Sequence, residues 1–215
     1  MTKEANDFWS SDQSRNFPYS VKINGKEQDL IYEYQIPSGL HEWLISNRLI
    51  PGDGLLMDIG SGATTTSLFS ESEKFRSYAA DISPDLLKSN ALLPDHKIIL
   101  DVGSGRFPDS WRGKFGLAVS ARCNRYLNMT EKRHLAGEVY HLLRPGSDFI
   151  ILDIDSTPYA KQMGEFSPFD VKGESEILKN SGFSLTGSGH FEIKVKDHKF
   201  GGTDYIGHQY IIARK

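Results

Sequence analysis

The chain has 215 residues, 38% of them hydrophobic and 25% charged, with a formal net charge of −3. That is enough apolar material for one core-forming domain, and the acidic balance argues against a dedicated nucleic-acid binder, whose domain usually carries a basic face. A single cysteine, Cys123, rules out an intramolecular disulfide and a Cys-rich zinc site, and suits a reducing cytoplasm. The opening MTKEANDFWSSDQSRN shows no apolar signal-peptide core, and no apolar run approaches the roughly 18–20 residues of a membrane span. The expectation is a cytoplasmic protein with no membrane partner.

Residues 1–36 read as an N-terminal arm and residues 37–215 as the ligand-binding domain. The arm is polar with scattered rings, Phe8, Trp9, Phe17 and Tyr19. It is either a surface arm packing a few rings or a lid over the ligand. Residues 28–50 read as helical on either side of Pro37, with Ser38 as an N-cap and Leu40, Trp43, Leu44 and Leu49 at helical spacing. Pro51-Gly52-Asp53-Gly54 then breaks the chain.

The stretch 55–63, LLMDIGSGA, is an apolar run ending at Asp58 and a turn through Gly60, Ser61 and Gly62. A helix is predicted over about 64–74. Strand, glycine turn and helix form the context in which a glycine-rich loop binds a nucleotide. A second strand is predicted over 77–82, with Asp81 at its end. Ser83 then caps a helix that has Pro84 at its first position. A third strand is predicted over 96–102, ending near Asp101 and Val102, and a fourth over 115–120. The polar segment ARCNRYLNM follows, and Thr130 is expected to cap a helix running to about Leu143. Arg144-Pro145-Gly146 stops it. Residues 148–154 form a continuous apolar strand of the kind buried on both faces of a parallel sheet. After a variable segment, 156–172, come a helix at 173–180 and two strands, 183–195 and 205–213. No helix separates these two, so they pair antiparallel.

Alternating strands and helices give an open, doubly wound parallel sheet with helices on both faces. Ligands of such sheets sit at the carboxyl ends of the strands. Asp58, Asp81 and Asp101 all fall on that rim. An acid after the second strand can accept both hydroxyls of a ribose, which suits any adenosine-bearing cofactor, NAD included. The dinucleotide fingerprint G-x-G-x-x-G is not met, because Thr65 stands where its third glycine belongs. Little chain is left over for a separate substrate domain.

Over about residues 37–214 the pattern resembles the class I S-adenosylmethionine-dependent methyltransferases. The matching pieces are D-I-G-S-G-A at 58–63, A-A-D-I-S-P at 79–84 and L-D-V at 100–102. F-G-L-A-V-S at 115–120, L-L-R-P-G at 142–146 and the final hairpin complete the set. The resemblance implies a seven-stranded sheet of order 3-2-1-4-5-7-6 with strand 7 antiparallel. It implies S-adenosyl-L-methionine as cofactor. Asp81 would bind its ribose, with Ile82 beside it in the motif. Asp101 or Val102 would hold the adenine. Gly60, Ser61 and Gly62 would let the methionine part pass, Asp58 would act near the ammonium, and Ser120 closes the strand 4 motif at the site. Two departures stand out: Gly116 where the family often has an acid, and Thr64 where it often has a third glycine.

The implied reaction is transfer of the sulfonium methyl to an oxygen or nitrogen of a small molecule, by alignment with or without a general base. No residue is obliged to be catalytic, and no metal is expected. The segment after strand 4, with Arg122, Asn124, Arg125 and Tyr126, would face the acceptor, and Tyr19 would cover it. Arg122 and Arg125 either hold an anionic acceptor through guanidinium forks or form ion pairs with acids of the chain. Cys123 reads as a small buried thiol before a nucleophile, and His134 as a solvated or satisfied histidine. Asp153 and Asp155 line the pocket or cap the next turn. Three alternatives stand beside small-molecule transfer: a cofactor-binding cyclase or interaction subunit, a nucleic-acid or protein methyltransferase, and an NAD-type oxidoreductase.

Overall fold

Residues 20–23, 26–29, 54–62, 75–90, 92–154, 169–194 and 205–215 are described in the computed structural model. Ser20–Ile23 (β1) and Lys26–Asp29 (β2) pair antiparallel as a two-stranded sheet. This corrects the expectation of helix from position 28, because Gln28 and Asp29 lie in β2. The sequence signal is Asn-Gly at positions 24–25, the dipeptide most favoured in tight hairpins. The remainder of the predicted arm, the predicted helices of 30–50 and the one predicted over 64–74 lie outside the described residues.

The main sheet has seven strands: Gly54–Ile59 (β3), Phe75–Asp81 (β4), Lys97–Ile99 (β5), Phe115–Ala121 (β6), Leu143–Ile154 (β7), Ser184–Lys194 (β8) and Tyr205–Arg214 (β9). Their order is β5-β4-β3-β6-β7-β9-β8. Counted from β3 this is 3-2-1-4-5-7-6, as the resemblance implied. β9 runs antiparallel to both neighbours, and the other pairs are parallel. The described helices are Pro84–Ser89 (α1), Met129–Leu142 (α2) and Val171–Asn180 (α3).

Side chains of the central strands alternate between two buried layers. Met57, Ile59, Ala118, Phe149, Ile151 and Ile211 meet Leu135, Val139 and Leu142 of α2 and Ile177 and Leu178 of α3. Leu56, Leu117, Val119, Ile150, Leu152 and Ile212 form the layer on the opposite face. Burial on both faces explains why these strands read as unbroken apolar runs rather than as alternation.

Three local expectations shift. α2 is capped by Asn128, not Thr130. Asn128 Oδ1 accepts from the Thr130 and Glu131 amides at 2.9 and 3.1 Å, and Glu131 Oε2 accepts from the Asn128 amide at 2.7 Å. This reciprocal capping box starts the helix earlier. The third strand shrinks to three residues, because Asp101 turns the chain. Its carboxylate accepts from the Gly103 amide and the Ser104 hydroxyl, each at 3.0 Å, and its carbonyl accepts from the Ser104 and Gly105 amides. β7 begins directly at Leu143, with an irregularity opposite Phe115 and Leu117 that absorbs Pro145 and Gly146.

At the opposite end of the sheet from the rim, the Arg144 guanidinium covers two glycines. A Cβ on Gly116 would lie 3.0 Å from Arg144 Nη2, and one on Gly54 would lie 3.2 Å from it. A cation therefore fills the place where the resembled family often carries an acid.

Candidate functional site

β3 ends on a turn whose conformation demands glycine. Gly60 and Gly62 have φ of +67° and +58°, the left-handed region that costs a residue with a Cβ about 1–2 kcal/mol. The turn is fastened to the end of β4. The Gly60 and Ser61 amides donate to the Ala80 carbonyl at 2.8 and 3.2 Å. The Gly62 amide donates to Asp81 Oδ2 at 2.9 Å, and the Ser83 amide to Asp81 Oδ1 at 2.8 Å. One carboxylate thus clamps the glycine turn to the start of α1. Burial pushes the Asp81 carboxyl above its ordinary value of 3.8, against the opposing pull of the Ser83, Gly62 and Ile82 amides.

The two glycines differ in what lies beside them. A Cβ on Gly60 would stand 2.6 Å from Cys123 Cβ and 2.7 Å from Sγ, whereas one on Gly62 would meet no atom of the described residues within 4 Å. Cys123 therefore walls one side of the turn, and no described residue crowds the Gly62 side. Cys123 keeps some accessible surface, but enclosure of its sulfur, then the Asp81 and Asp58 carboxylates, push the thiol up to about 12. It is a neutral thiol at physiological pH, not a nucleophile.

The remaining predicted residues divide by environment. Asp58, at the end of β3, is fully buried, as is Ser120 on β6. Ser61 and Val102 are buried, and Ile82 is half-buried in the turn after β4. Asp101 lies two residues beyond Ile99, the register partner of Asp81. The loop it begins is tied to α2, where His134 Nε2 meets the Gly105 carbonyl at 2.7 Å and Glu138 Oε2 accepts from the Phe107 amide at 3.2 Å. His134 is thus a satisfied histidine.

Arg122 has φ of +60°, a non-glycine residue in the left-handed region, and its amide donates to the Leu152 carbonyl at 2.8 Å. That bend turns the chain into the short 3-10 turn Asn124–Tyr126 beside the glycine turn. Tyr126 is half-buried. Arg125 is buried, and its guanidinium is forked onto Asp153 at the end of β7, with Nε at 2.7 Å and Nη2 on the same oxygen. Tyr19 and Asp155 lie outside the described residues.

Two buried residues were not singled out in the sequence. Lys132 of α2 pairs with Glu174 of α3, which also accepts from Asn124 Nδ2 at 3.3 Å. Asn124 Oδ1 accepts from the Ser120 hydroxyl at 2.9 Å. Lys132 and Glu174 lie 42 positions apart, so no local pattern links them. The one cue was a pair of charged residues among apolar positions on two predicted helices. Among the described residues, no three of His, Cys, Asp and Glu gather as metal ligands, and no helix is long and apolar enough to cross a membrane.

No family model matches the sequence, and no curated protein matches it. Solved structures do. An S-adenosylmethionine-dependent methyltransferase from Methanosarcina mazei aligns with a TM-score of 0.60 at 18% identity, over 80% of this chain and 96% of that one. The chain has the class I methyltransferase fold. A phosphoethanolamine N-methyltransferase from Haemonchus contortus, in complex with phosphomonomethylethanolamine and S-adenosylhomocysteine, aligns with a TM-score of 0.62 at 14% identity, over 86% of this chain and 56% of that one. The [4+2]-cyclase SpnF aligns with a TM-score of 0.61 at 13% identity, over 82% of this chain and 80% of that one. In all, 1050 solved chains match, so the class I methyltransferase fold identifies an architecture that hosts several chemistries.

Proposed function

We propose that this chain is an S-adenosylmethionine-dependent methyltransferase that acts on an oxygen or nitrogen of a small molecule without a metal ion. The observation that carries the proposal is the glycine turn clamped by Asp81, with no described residue within 4 Å of a Cβ on Gly62. The Gly62 amide donates to one Asp81 oxygen and the Ser83 amide to the other; a carboxylate offers about four acceptor sites, which leaves room for ribose hydroxyls beside these amides. Among the described residues nothing approaches a Cβ on Gly62 within 4 Å, which suits the close passage of an extended ligand chain. Asp101 and Val102 would border the adenine, and Gly60, Ser61 and Gly62 the methionine part. Asp58 would lie toward the ammonium, with Ile82 beside the ribose.

The bound cofactor would supply an already activated methyl group. The chain then has to orient an acceptor and exclude water. Ser120, Arg122, Asn124 and Tyr126, on or beside the bend after β6, would face the acceptor, and Tyr19 would cover it. Arg125 would hold that segment through Asp153.

The test is calorimetric titration with S-adenosylmethionine, S-adenosylhomocysteine and NAD, followed by a screen of metabolites with a labelled methyl donor. Micromolar binding of the first two, lost in Asp81→Ala, supports the proposal; binding of NAD alone sinks it. The fold shared with a [4+2]-cyclase favours a second possibility, in which cofactor is bound and no methyl is transferred. Tight cofactor binding with no labelled product across the screen would move the assignment there.

A further inference from the structure

The loop that begins at Asp101 is held from outside by one face of α2. His134 and Glu138 lie one turn apart on that helix and so share a face. His134 Nε2 meets the Gly105 carbonyl at 2.7 Å, and Glu138 Oε2 accepts from the Phe107 amide at 3.2 Å. A carbonyl only accepts, so Nε2 carries a proton and His134 is the donor. The helix itself is anchored. A capping box fixes its start, and Leu135, Ala136, Val139 and Leu142 are buried in the core.

Within the loop the ties lead back to Asp101. Gly105 is gripped on both sides, because its carbonyl accepts from His134 while its amide donates to the Asp101 carbonyl at 2.6 Å. A Cβ on Gly105 would lie 2.8 Å from that same carbonyl oxygen, so the loop folds tightly onto the strand end. The Gly103 amide and the Ser104 hydroxyl each hold one oxygen of the Asp101 carboxylate at 3.0 Å. Val102 and Phe107, at the two ends, are buried in the same core cluster as Leu135 and Ala136. Ser104 and Arg106 are exposed, so the middle of the loop depends on the ties at Gly105 rather than on burial.

We infer that His134 and Glu138 are positioning residues that set the base selectivity of the site: α2 fixes the loop, and the loop aims the Asp101 carboxylate at the base. This rests on the rim being an S-adenosylmethionine site with Asp101 beside the adenine. A carboxylate accepts and the exocyclic amino group of adenine donates, whereas the exocyclic oxygen of hypoxanthine only accepts and is repelled. A carboxylate held in place therefore prefers adenine, and a loosened loop gives up part of that preference.

The experiment is calorimetric titration of the full chain with S-adenosylhomocysteine and with S-inosylhomocysteine, its hypoxanthine analogue, for wild type, His134→Phe and His134→Gln. Phenylalanine keeps a ring without a donor, and glutamine carries an amide N–H at a similar reach. In His134→Phe the ratio of affinities, adenine over hypoxanthine, is expected to fall about threefold to tenfold, the worth of one hydrogen bond. His134→Gln is expected to restore most of it. A purely structural role weakens both ligands by the same factor, so an unchanged ratio in His134→Phe overturns the inference. If His134→Phe fails to fold, Glu138→Ala decides, since Glu138 is half-buried and holds the next tie of the same loop; the same fall is expected, and a constant ratio overturns the inference.

A second readout needs no ligand. The Ser104 and Gly105 amides both donate to the Asp101 carbonyl, and their hydrogen exchange reports how firmly the loop is held. It should quicken about threefold to tenfold in His134→Phe and return in His134→Gln. Exchange that stays the same in His134→Phe overturns the inference. If wild type binds neither ligand, the cofactor reading fails and the base selectivity with it. If the inference alone fails, wild type still binds and the ratio stays constant across the variants.

Discussion

Cys123 is packed against Gly60 so closely that no side chain fits between them, with 2.6 Å from a Gly60 Cβ to Cys123 Cβ. Gly60 is therefore fixed twice, by its φ of +67° and by its neighbour. Gly60→Ala should lower stability by about 1–3 kcal/mol in a chemical denaturation experiment. Gly62→Ala should cost the backbone strain, about 1–2 kcal/mol, because no described residue lies within 4 Å of a Cβ there. Yet a methyl there fills the proposed ligand path, so S-adenosylhomocysteine affinity should fall more than about tenfold. Wild-type affinity in folded Gly62→Ala would place the ligand elsewhere.

Asp81 carries a pH prediction. Burial raises its carboxyl pKa, so the proton leaves at a higher pH than from an ordinary aspartate. Ribose hydroxyls donate to the ionised form. Ligand affinity should then be flat above the raised pKa and weaken by about tenfold per pH unit below it. The turning point should lie above the ordinary 3.8, and a titration series in pH locates it. An affinity that stays flat down to 3.8 would remove Asp81 from the ligand.

The Arg125–Asp153 pair is buried, with side chains 6% and 0% exposed. Buried pairs contribute little net stability, but removing one partner strands a charge. Asp153→Ala should destabilise by about 3–5 kcal/mol, measured by urea unfolding. A loss below about 1 kcal/mol, the usual range of a surface pair, would mean that water reaches the guanidinium.

Gly116 has no unusual φ, and its nearest obstacle is the far end of Arg144. A flexible guanidinium gives way, so Gly116→Ala should change stability by less than about 1 kcal/mol. Gly116→Asp should be at least as well tolerated, because the new carboxylate meets a cation. Thermal melts of the two variants check this. A Gly116→Asp melting well below that of Gly116→Ala would mean the carboxylate cannot reach Arg144.

The parallel sheet was legible because β3, β6 and β7 are apolar runs and Gly60 and Gly62 punctuate the first of them, whereas its strand order came from the resemblance to the class I methyltransferases. The antiparallel edge was legible from the missing helix between β8 and β9. Boundaries were less so. Thr130 looked like a cap, but Asn128 with Glu131 forms the better one, and both patterns occur within four residues. Asp101 reads as a strand-end acid, yet its carboxylate bonds the next turn and shortens β5. The polar layer was illegible in principle. Asn124 meets Glu174 across 50 positions and Arg125 meets Asp153 across 28, and only tertiary packing brings such partners together.

The protein's one sulfhydryl also gives it an intrinsic gauge of local opening. The thiolate is the form that attacks thiol reagents, and burial and the Asp81 and Asp58 carboxylates push the Cys123 thiol up to about 12, against an ordinary 9.0. A raised folded pKa means that the folded form binds this proton more tightly, so stability should decline as pH climbs from 9.0 toward 12. Replacing Cys123 with alanine should flatten that alkaline decline. At neutral pH the labelling rate should instead track how often the wall beside Gly60 swings away. A ligand lying on the turn should slow that clock in proportion to its occupancy.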